Sequence, residues 1–546
     1  MAAADKPASM RTVVAASSAG TAFEWYDFFI FGTLATVISK TFFSSLNDTA
    51  AFIAALALFG AGFAFRPLGA LIFGWLGDRA GRKAAFLITV TMMGGATFAI
   101  GLLPTYAQAG PIAPILLILM RIIQGTALGG EYGGAAIYVA EHSPDDKRGA
   151  MTGWIQVSAA LGLIGALVAI FVTRKTVGEA AFADWGWRIP FLISAGLLGI
   201  SIWMRLKLSE SPAFKALKDA GEHSKAPFRE SFGQWKNLKL VWLALLGVMF
   251  AQGAVWYSAF FYTQVFLEKF LKVPPSTVNL LVMATVAASA PLYVFSGWLS
   301  DRVSRKWVML FGMILSLAFF FPGFHLMAKM ANPALAEAQA RMPVTVIADP
   351  GACQLQFDPV GKAAFTTSCD IAKSTLANAG ISYGNEAAPA GSLAQVRIGD
   401  VLVPSAEASG LPAADAKAAK GEVETRIKAA LQAAGYPLEA DPERINLWGV
   451  FGVLMLFAVG ATALYGPQAS ALVELFPTRV RYTALSLPYH IGTGWVGGFL
   501  PFTAFAIVAA SGNIYSGLWY PVVFTAISIV VMLFFWKDQR GRPLTD

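Results

Sequence analysis

Roughly a dozen runs of some 20 apolar residues, each long enough to cross a hydrocarbon core as a helix, leave this chain few folds other than a polytopic helical membrane protein. They begin near Ala16, Ala50, Ala84, Ile112, Gly149, Ile189, Leu240, Thr277, Trp307, Asn446, Tyr482 and Ile514. Apolar residues make up 56% of the chain and charged residues 14%, far from the balance of a soluble domain. Six runs precede the polar stretch from Arg205 to Lys239 and six follow it. The chain therefore reads as a first half over residues 1–206, a linker over 207–239, and a second half over 240–329 and 446–546.

The two halves carry related motifs. GWLGDRAGRK from Gly74 to Lys83 returns as GWLSDRVSRK from Gly297 to Lys306, each directly after an apolar run. A second pair has the spacing E-x-x-P-x-x-x-R: Glu141, Pro144 and Arg148, then Glu474, Pro477 and Arg481. The offsets of the two pairs differ by roughly 110 residues, so an insertion lies between them in the second half. Residues 330–445 are that insertion: polar, Ala-rich and without a spanning run. Its segments VTVIA, AQVRIGDVLV and AAKGEVETRIKAALQAAGY predict a small α+β unit, between the ninth and tenth spans.

Charge distribution orients the chain. The formal charge is +8, and Lys and Arg crowd the N-terminal tail and alternate short connections. The opposite side holds Lys40, Arg174, Lys175, Lys269 and Lys272. The positive-inside rule then puts both termini in the cytoplasm and the insertion outside, and explains the basic balance without nucleic acid. Only two cysteines occur, Cys353 and Cys369, both in the insertion, where an oxidising compartment favours a disulfide over two free thiols. The first apolar run carries two acids and no small-residue cleavage site, so it does not read as a removable signal.

These motifs resemble the major facilitator superfamily, whose loop between the second and third helices carries G-x-L-x-D-R-x-G-R-K/R; Gly74, Leu76, Asp78, Arg79, Gly81, Arg82 and Lys83 fit it. Within it the chain is similar to the metabolite:H+ symporters, which include α-ketoglutarate, shikimate, dicarboxylate and proline/betaine transporters. The likeness is carried by GTAFEWYDFFIFG from Gly20, FAFRPLGALIFGWLGDRAGRK from Phe63, RIIQGTALGGEYGGA from Arg121, WGWRIPF from Trp185, SESPAF from Ser209 and ELFPTRVRYTALSLPYH from Glu474. It implies an all-α fold of two six-helix halves with 12 transmembrane helices, set in a bacterial inner membrane; the insertion, which the charge rule puts in the periplasm, lies outside the likeness. It further implies a monomer that needs no cofactor beyond a proton gradient. The fifth helix lacks the proline of a G-P-x-x-G element, which favours uptake over efflux. The second loop has Ser304 where the first has Gly81.

Ionisable groups inside a bilayer mark function. The first half buries Glu24, Asp27, Arg66, Arg121 and Glu131, the second only His325 and His490. A rise of about 1.5 Å per residue puts Asp27, Arg66 and Glu131 at one depth near the midplane. Three acids against two arginines leave one negative charge for a proton to neutralise. Asp27 or Glu131 is the expected carrier, biased by Arg66 or Arg121, with Glu24 nearby; the structural alternative is a buried Glu24–Arg66 pair. A guanidinium fork matches a carboxylate, so Arg66 and Arg121 suggest an anionic carboxylate substrate. Gln252, Trp256, Tyr257, Tyr262, Tyr489 and His490 are candidates for the other wall, against the alternative that they pack or anchor.

The resemblance also implies latches at Gly74, Asp78, Arg79, Arg82, Glu141 and Arg148, with Asp301, Arg302, Glu474 and Arg481 as their second-half counterparts. Glycines at 125, 129, 130, 133 and 134 offer faces for close helix packing. No phosphate-binding G-x-x-x-x-G-K-[ST] or H-E-x-x-H occurs, which argues against an ATP-driven pump and an intramembrane enzyme. Proton-coupled uptake of a small organic acid is the expected function. A zwitterionic osmolyte such as betaine or proline is the alternative substrate, although no long coiled coil follows Trp536. A membrane sensor that reports through its outward domain is the alternative of another class.

Overall fold

The computed structural model describes residues 9–44, 62–207, 209–356, 365–437 and 439–544. Ten helices among them are long and apolar enough to cross a membrane. In chain order, α1 (Met10–Thr33) and α2 (Arg66–Arg79) precede α3 (Arg82–Leu102), α4 (Ile112–His142), α5 (Arg148–Val177) and α6 (Arg188–Leu206). After the linker come α7 (Trp235–Phe270), α8 (Pro275–Arg302) and α9 (Arg305–Ala331). Three helices of the insertion follow, α10 (Pro333–Arg341), α11 (Ser368–Asn378) and α12 (Ala413–Ala433). The last are α13 (Leu447–Leu475), α14 (Arg481–Ser511) and α15 (Ser516–Phe535). The ten are α3 to α9 and α13 to α15. Helix α1 holds buried acids, and most of the run expected from Ala50 lies outside the described residues, with α2 its far end.

The halves meet where α2 packs on α14 and α5 on α8, the same pairing seen from each side. Close approach is bought by small residues: a Cβ on Gly297 would come within 2.3 Å of the Gly149 carbonyl oxygen. Large apolar side chains such as Leu119, Phe171 and Phe534 remain exposed around the bundle, as a lipid-facing surface requires. Helices α7 and α14 contain π-helical turns, Ser258–Tyr262 just beyond Tyr257 and Ile491–Gly497 just beyond His490. Such turns re-aim side chains and recur at functional sites.

Residues between α9 and α13 form a separate α/β unit. Its strands are β1 (Val344–Ala348), β2 (Tyr383–Ala387), β3 (Gln395–Ile398) and β4 (Val401–Pro404), in the order β2-β1-β3-β4. Strands β1 and β2 are parallel, as their crossover through α11 demands, and the other pairs are antiparallel. Strand β1 alternates buried and half-buried side chains, which places Val344, Val346 and Ala348 in the core. Cys353 and Cys369 form a disulfide that ties the segment after β1 to the first turn of α11.

Among the described residues, the hydrogen bonds that dock this unit go to the second half. Tyr383 donates its backbone N–H to Gly512 O (2.7 Å) and its hydroxyl to Ala509 O; Asn385 Nδ2 donates to Ser511 O (3.0 Å), and Ala440 N to Lys272 O (2.9 Å). Two left-handed glycines make the fit: a Cβ on Gly380 would lie 1.9 Å from Phe270 O, and one on Gly512 2.1 Å from Tyr383 O.

Candidate functional site

Among the described residues, two charged clusters lie inside the helix bundle of the first half, apart from the latch networks at its end. In the first, Arg205 Nη2 donates to Glu24 Oε1 and to Glu131 Oε1, both at 2.9 Å, and Nη1 donates to Phe86 O at 3.0 Å. Thr89 donates to the second oxygen of Glu131 at 3.1 Å. The Arg205 guanidinium lies 3.6 Å from the Phe86 ring centroid and passes where a Cβ on Gly20 would be, 2.7 Å from Nη2. In the second cluster Ser194 donates to Asp27, while Arg121 donates to Gln124 Oε1 (2.8 Å) and Gln124 Nε2 to Thr97 Oγ1 (2.7 Å).

These contacts correct two expectations. The apparent excess of one acid disappears once Arg205 is counted, because it belongs in the bundle and not with the linker. The Glu24–Arg66 pair also does not form: Glu24 bonds Arg205. Asp27 and Glu131 share a depth but not a cluster, since Asp27 faces Ser194 on α6 and Glu131 faces Arg205 and Thr89.

Arg66 takes a different role. It is 2% exposed, and its guanidinium carbon lies 4.1 Å from the Phe63 ring centroid and 5.0 Å from that of Phe28. Tyr257 of the second half lies beside it, while Nε and Nη2 have no protein acceptor. A small cavity joins Arg66 to Glu24, Glu131, Trp25, Tyr132, Tyr489 and His490. Tyr132 and Tyr489 stack across the half interface, 3.8 Å between centroids and 8° between planes. Gln156 donates to the Tyr132 hydroxyl (2.8 Å), and the hydroxyls of Tyr465 and Tyr489 lie 2.9 Å apart.

Of the residues singled out for this site, Glu24, Glu131, Arg66, Tyr489 and His490 converge on the cavity, with Tyr257 at its edge. Arg121 stacks on Phe31 at 4.2 Å. Trp256 donates to Tyr293 at 2.9 Å, Gln252 is buried in α7, and Tyr262 sits among Phe266 and Phe324. None of these four lines the cavity. Sequence reasoning passed over Arg205, Tyr132 and Tyr465, although each lies in or at the end of an apolar run.

The latch residues form two copies of one device. Asp78 at the end of α2 accepts from the backbone N–H groups of Tyr482 (3.1 Å) and Thr483 (2.8 Å), the first turn of α14 in the other half. Asp301 at the end of α8 accepts from Gly149 (2.8 Å) and Ala150 (2.7 Å), the first turn of α5. Each carboxylate thus satisfies orphan donors and the positive end of a helix from the opposite half. Each also pairs with an arginine four residues on: Asp78–Arg82 at 2.7 Å and Asp301–Arg305 at 2.9 Å. Glu141 binds Arg481 (2.7 Å) and Arg82 (3.8 Å), while Glu474 binds Arg148 (2.8 Å) and Arg305 (2.5 Å).

Arg79 and Arg302 are not in these networks. They are exposed and stack on Trp75 and Trp298 of their own helices, at 5.2 and 4.0 Å. Arg79 and Arg302, next to the aspartate on its own helix, turn away from its face, whereas Arg82 and the overlooked Arg305 begin the following helix and are brought inward by the turn between. Ser304 replaces Gly81 without strain: Gly81 has φ 121°, whereas Ser304 is extended and its hydroxyl accepts from Trp307 N.

Comparison with known proteins agrees with this geometry. Residues 12–231 match the family described as sugar (and other) transporter, and residues 134–348 the family described as MFS/sugar transport protein. The inner membrane metabolite transport protein YhjE of Escherichia coli is 33% identical over 360 residues, 65% of this chain and 79% of that one. The chain belongs to the major facilitator superfamily. The shikimate transporter of Escherichia coli is 35% identical over 322 residues, 58% of this chain and 72% of that protein. The proline/betaine transporter of Salmonella typhimurium is 37% identical over 325 residues, 58% of this chain, and only 64% of its length is spanned. A solved structure of the proton:xylose symporter XylE bound to 6-bromo-6-deoxy-D-glucose superposes with a TM-score of 0.62 at 14% identity, covering 98% of each chain, which shows the shared fold. The protein is accordingly a multi-pass membrane protein of a transporter family.

Proposed function

We propose that the protein is a proton-coupled uptake transporter for a small carboxylate-bearing solute, working by alternating access between its two halves. Arg66 carries this reading: it is buried at the interface of the halves with Nε and Nη2 unclaimed by protein acceptors, facing a cavity walled by rings from both halves. Those two donors suit a substrate carboxylate. Glu24 and Glu131 share Arg205, so with both ionised the trio carries one negative charge, which Arg66 offsets across the cavity until a substrate carboxylate claims it; a proton on either glutamate then balances the set. We assign proton coupling to this pair, which lies within the same cavity, and not to Asp27.

The aromatic walls favour a second substrate reading within the same function. Trp25, Tyr132 and Tyr489 give the cavity aromatic walls, and a ring face freed when the Tyr132–Tyr489 stack parts would attract a quaternary or secondary ammonium group; relatives named as proline/betaine transporters point the same way. A zwitterion would offer Arg66 the same carboxylate that an organic acid does. The topology that goes with either reading has twelve spans, both termini in the cytoplasm, the latch face inside and the α/β unit in the periplasm with its disulfide, in a monomer.

Uptake into proteoliposomes under an imposed inward proton gradient tests this. Labelled succinate, 2-oxoglutarate, shikimate, proline and betaine would be compared with and without protonophore. Protonophore-sensitive accumulation of an acid, or of a zwitterion, decides between the two substrates; Arg66→Lys should abolish either. Saturable binding without flux would overturn the transport reading in favour of a sensor.

A further inference from the structure

The two copies of the latch differ in one respect. Tyr482 follows Arg481 as Gly149 follows Arg148, so the seam of α2 and α4 against α14 carries a ring where the seam of α5 against α8 has no side chain. A Cβ on Gly149 would lie 2.4 Å from Gly297 O and 2.7 Å from Ser300 Oγ, which leaves no room for one on that side. On the other side the Tyr482 ring is fully buried among glycines of the first half. A Cβ on Gly77 of α2 would stand 1.9 Å from its Cδ1, one on Gly133 of α4 3.1 Å from its Cε2, and one on Gly134 2.5 Å from its hydroxyl. The hydroxyl donates to Gly130 O at 2.5 Å.

One face of α14 runs from the latch to the central cavity, because Tyr482, Ser486 and Tyr489 are spaced i, i+4 and i+7. Tyr489 stacks on Tyr132 at the cavity, and Tyr482, about 10 Å along the axis, sits where its own N–H meets Asp78. Between them the Ser486 hydroxyl has no protein partner and lies 2.4 Å from where a Cβ on Gly133 would be. Parting α14 from α2 and α4 therefore strips the ring of its packing on two helices at once. A hydroxyl left unpartnered behind the ring gains water or solute when the ring withdraws, which offsets part of that loss.

We propose that the Tyr482 ring is the plug between the central cavity and the latch face, and that Gly77, Gly133 and Gly134 are its socket. The cavity opens toward the latch face only when this ring leaves the first half, so the ring sets how readily that seam parts while the paired carboxylates act alike on both seams. The Tyr482 hydroxyl holds the carbonyl of the residue before Glu131, which fixes the plug against the helix that carries the proton pair. A gate is needed only if the halves alternate, and to that extent the plug rests on the transport reading above.

The test uses the full-length protein in nanodiscs, with alkylation of one introduced cysteine by a water-soluble maleimide as the readout. Cys353 and Cys369 are bonded to each other and stay silent. Ser486→Cys reports the space behind the ring, and Thr525→Cys, equally buried in α15 within the second half, reports general loosening. Tyr482→Ala should speed alkylation at position 486 by about tenfold or more, whereas Tyr482→Phe, which keeps the ring, should stay close to the parent. Gly134→Ala tests the socket with the ring in place, and serves if Tyr482→Ala does not fold. Its methyl meets the hydroxyl at 2.5 Å, so alkylation should rise; adding Tyr482→Phe leaves the nearest atoms at 3.3 Å and should restore the parent rate. Rates at position 525 should not change. A rate at 486 unmoved by both Tyr482→Ala and Gly134→Ala, a rise matched at 525, or no rescue by Tyr482→Phe overturns the plug. Flux plays no part in this readout, so failure of the transport reading, seen as binding without uptake, is told apart from failure of the plug.

Discussion

Replacing Arg205 by methionine should damage the protein more than its distance from the half interface suggests. The guanidinium is 1% exposed and compensates two carboxylates at once. Removing one partner of a buried pair typically costs about 3–5 kcal/mol, because a charge is left without compensation. Here two carboxylates are left, and protonating both relieves only part of the loss, so on the order of 3 kcal/mol is a lower expectation. That is about two decades in the unfolding equilibrium. The informative comparison is the triple variant Arg205→Met, Glu24→Gln, Glu131→Gln, in which nothing charged is stranded. Replacing a whole buried ionic group by neutral residues is often close to neutral, so the triple variant should recover most of the stability. Unfolding in mixed micelles, followed by tryptophan fluorescence, gives both values. Equal loss in the single and triple variants would refute the reasoning, since it would mean that Arg205 stabilises by packing on Phe86 and not by pairing. The triple variant should also transport, if at all, without proton dependence.

Four further outcomes follow. Asp78→Asn and Asp301→Asn should open the latch face to comparable extents, read as faster alkylation of a cysteine introduced there, because the two carboxylates do equivalent work; an effect confined to one would count against the symmetry. Arg79→Ala and Arg302→Ala should leave that accessibility near the parent value, whereas Arg82→Ala and Arg305→Ala should raise it strongly. Reducing the Cys353–Cys369 bond, which closes 16 residues of separation, should destabilise the α/β unit by about 3 kcal/mol, measurable as earlier proteolysis of the insertion with the bundle intact. Burial raises the Glu230 carboxyl, but hydrogen bonds from Arg479 and Ser224 outweigh it and hold the group below its usual value. Its bridge to Arg479 therefore contributes stability that is full above the ordinary glutamate range and is lost as pH falls through the lowered value. Glu230→Gln should flatten that acid limb of a thermal-stability profile.

How much of this could be read from the chain depended on whether the signal was local. The repeated loop and the E-x-x-P-x-x-x-R pairs identified Asp78, Glu141, Arg148, Asp301, Glu474 and Arg481, all of which meet in the latch networks. Of the arginines named there, Arg82 joins the networks while Arg79 and Arg302 stay outside, and Arg305 was missed, because the turn into the next helix and not closeness in sequence sets which arginine meets the aspartate. Arg205 was hidden for another reason: it ends an apolar run, where a basic residue ordinarily faces water, and only the absence of a side chain at Gly20 lets it reach back into the bundle. The clustering of Glu24 with Glu131, rather than of Asp27 with Glu131, depends on helix rotation, which depth along an axis does not give. In the α/β unit the strands VTVIA and AQVRIGDVLV were legible by their apolar pattern, but the parallel pairing of β1 with β2 was not, since it is set by how α11 crosses over.

Among the described residues, the hydrogen bonds that hold the α/β unit to the bundle all reach the second half. Had Tyr383, Asn385 and Ala440 found partners on both sides of the interface, the insertion would have acted as a splint and frozen whatever rotation the bundle makes. Bound as it is, it is a passenger. A fluorescent label on α12 would report where the second half points without taxing its motion, and a binder raised against the unit would mark the molecule without arresting it.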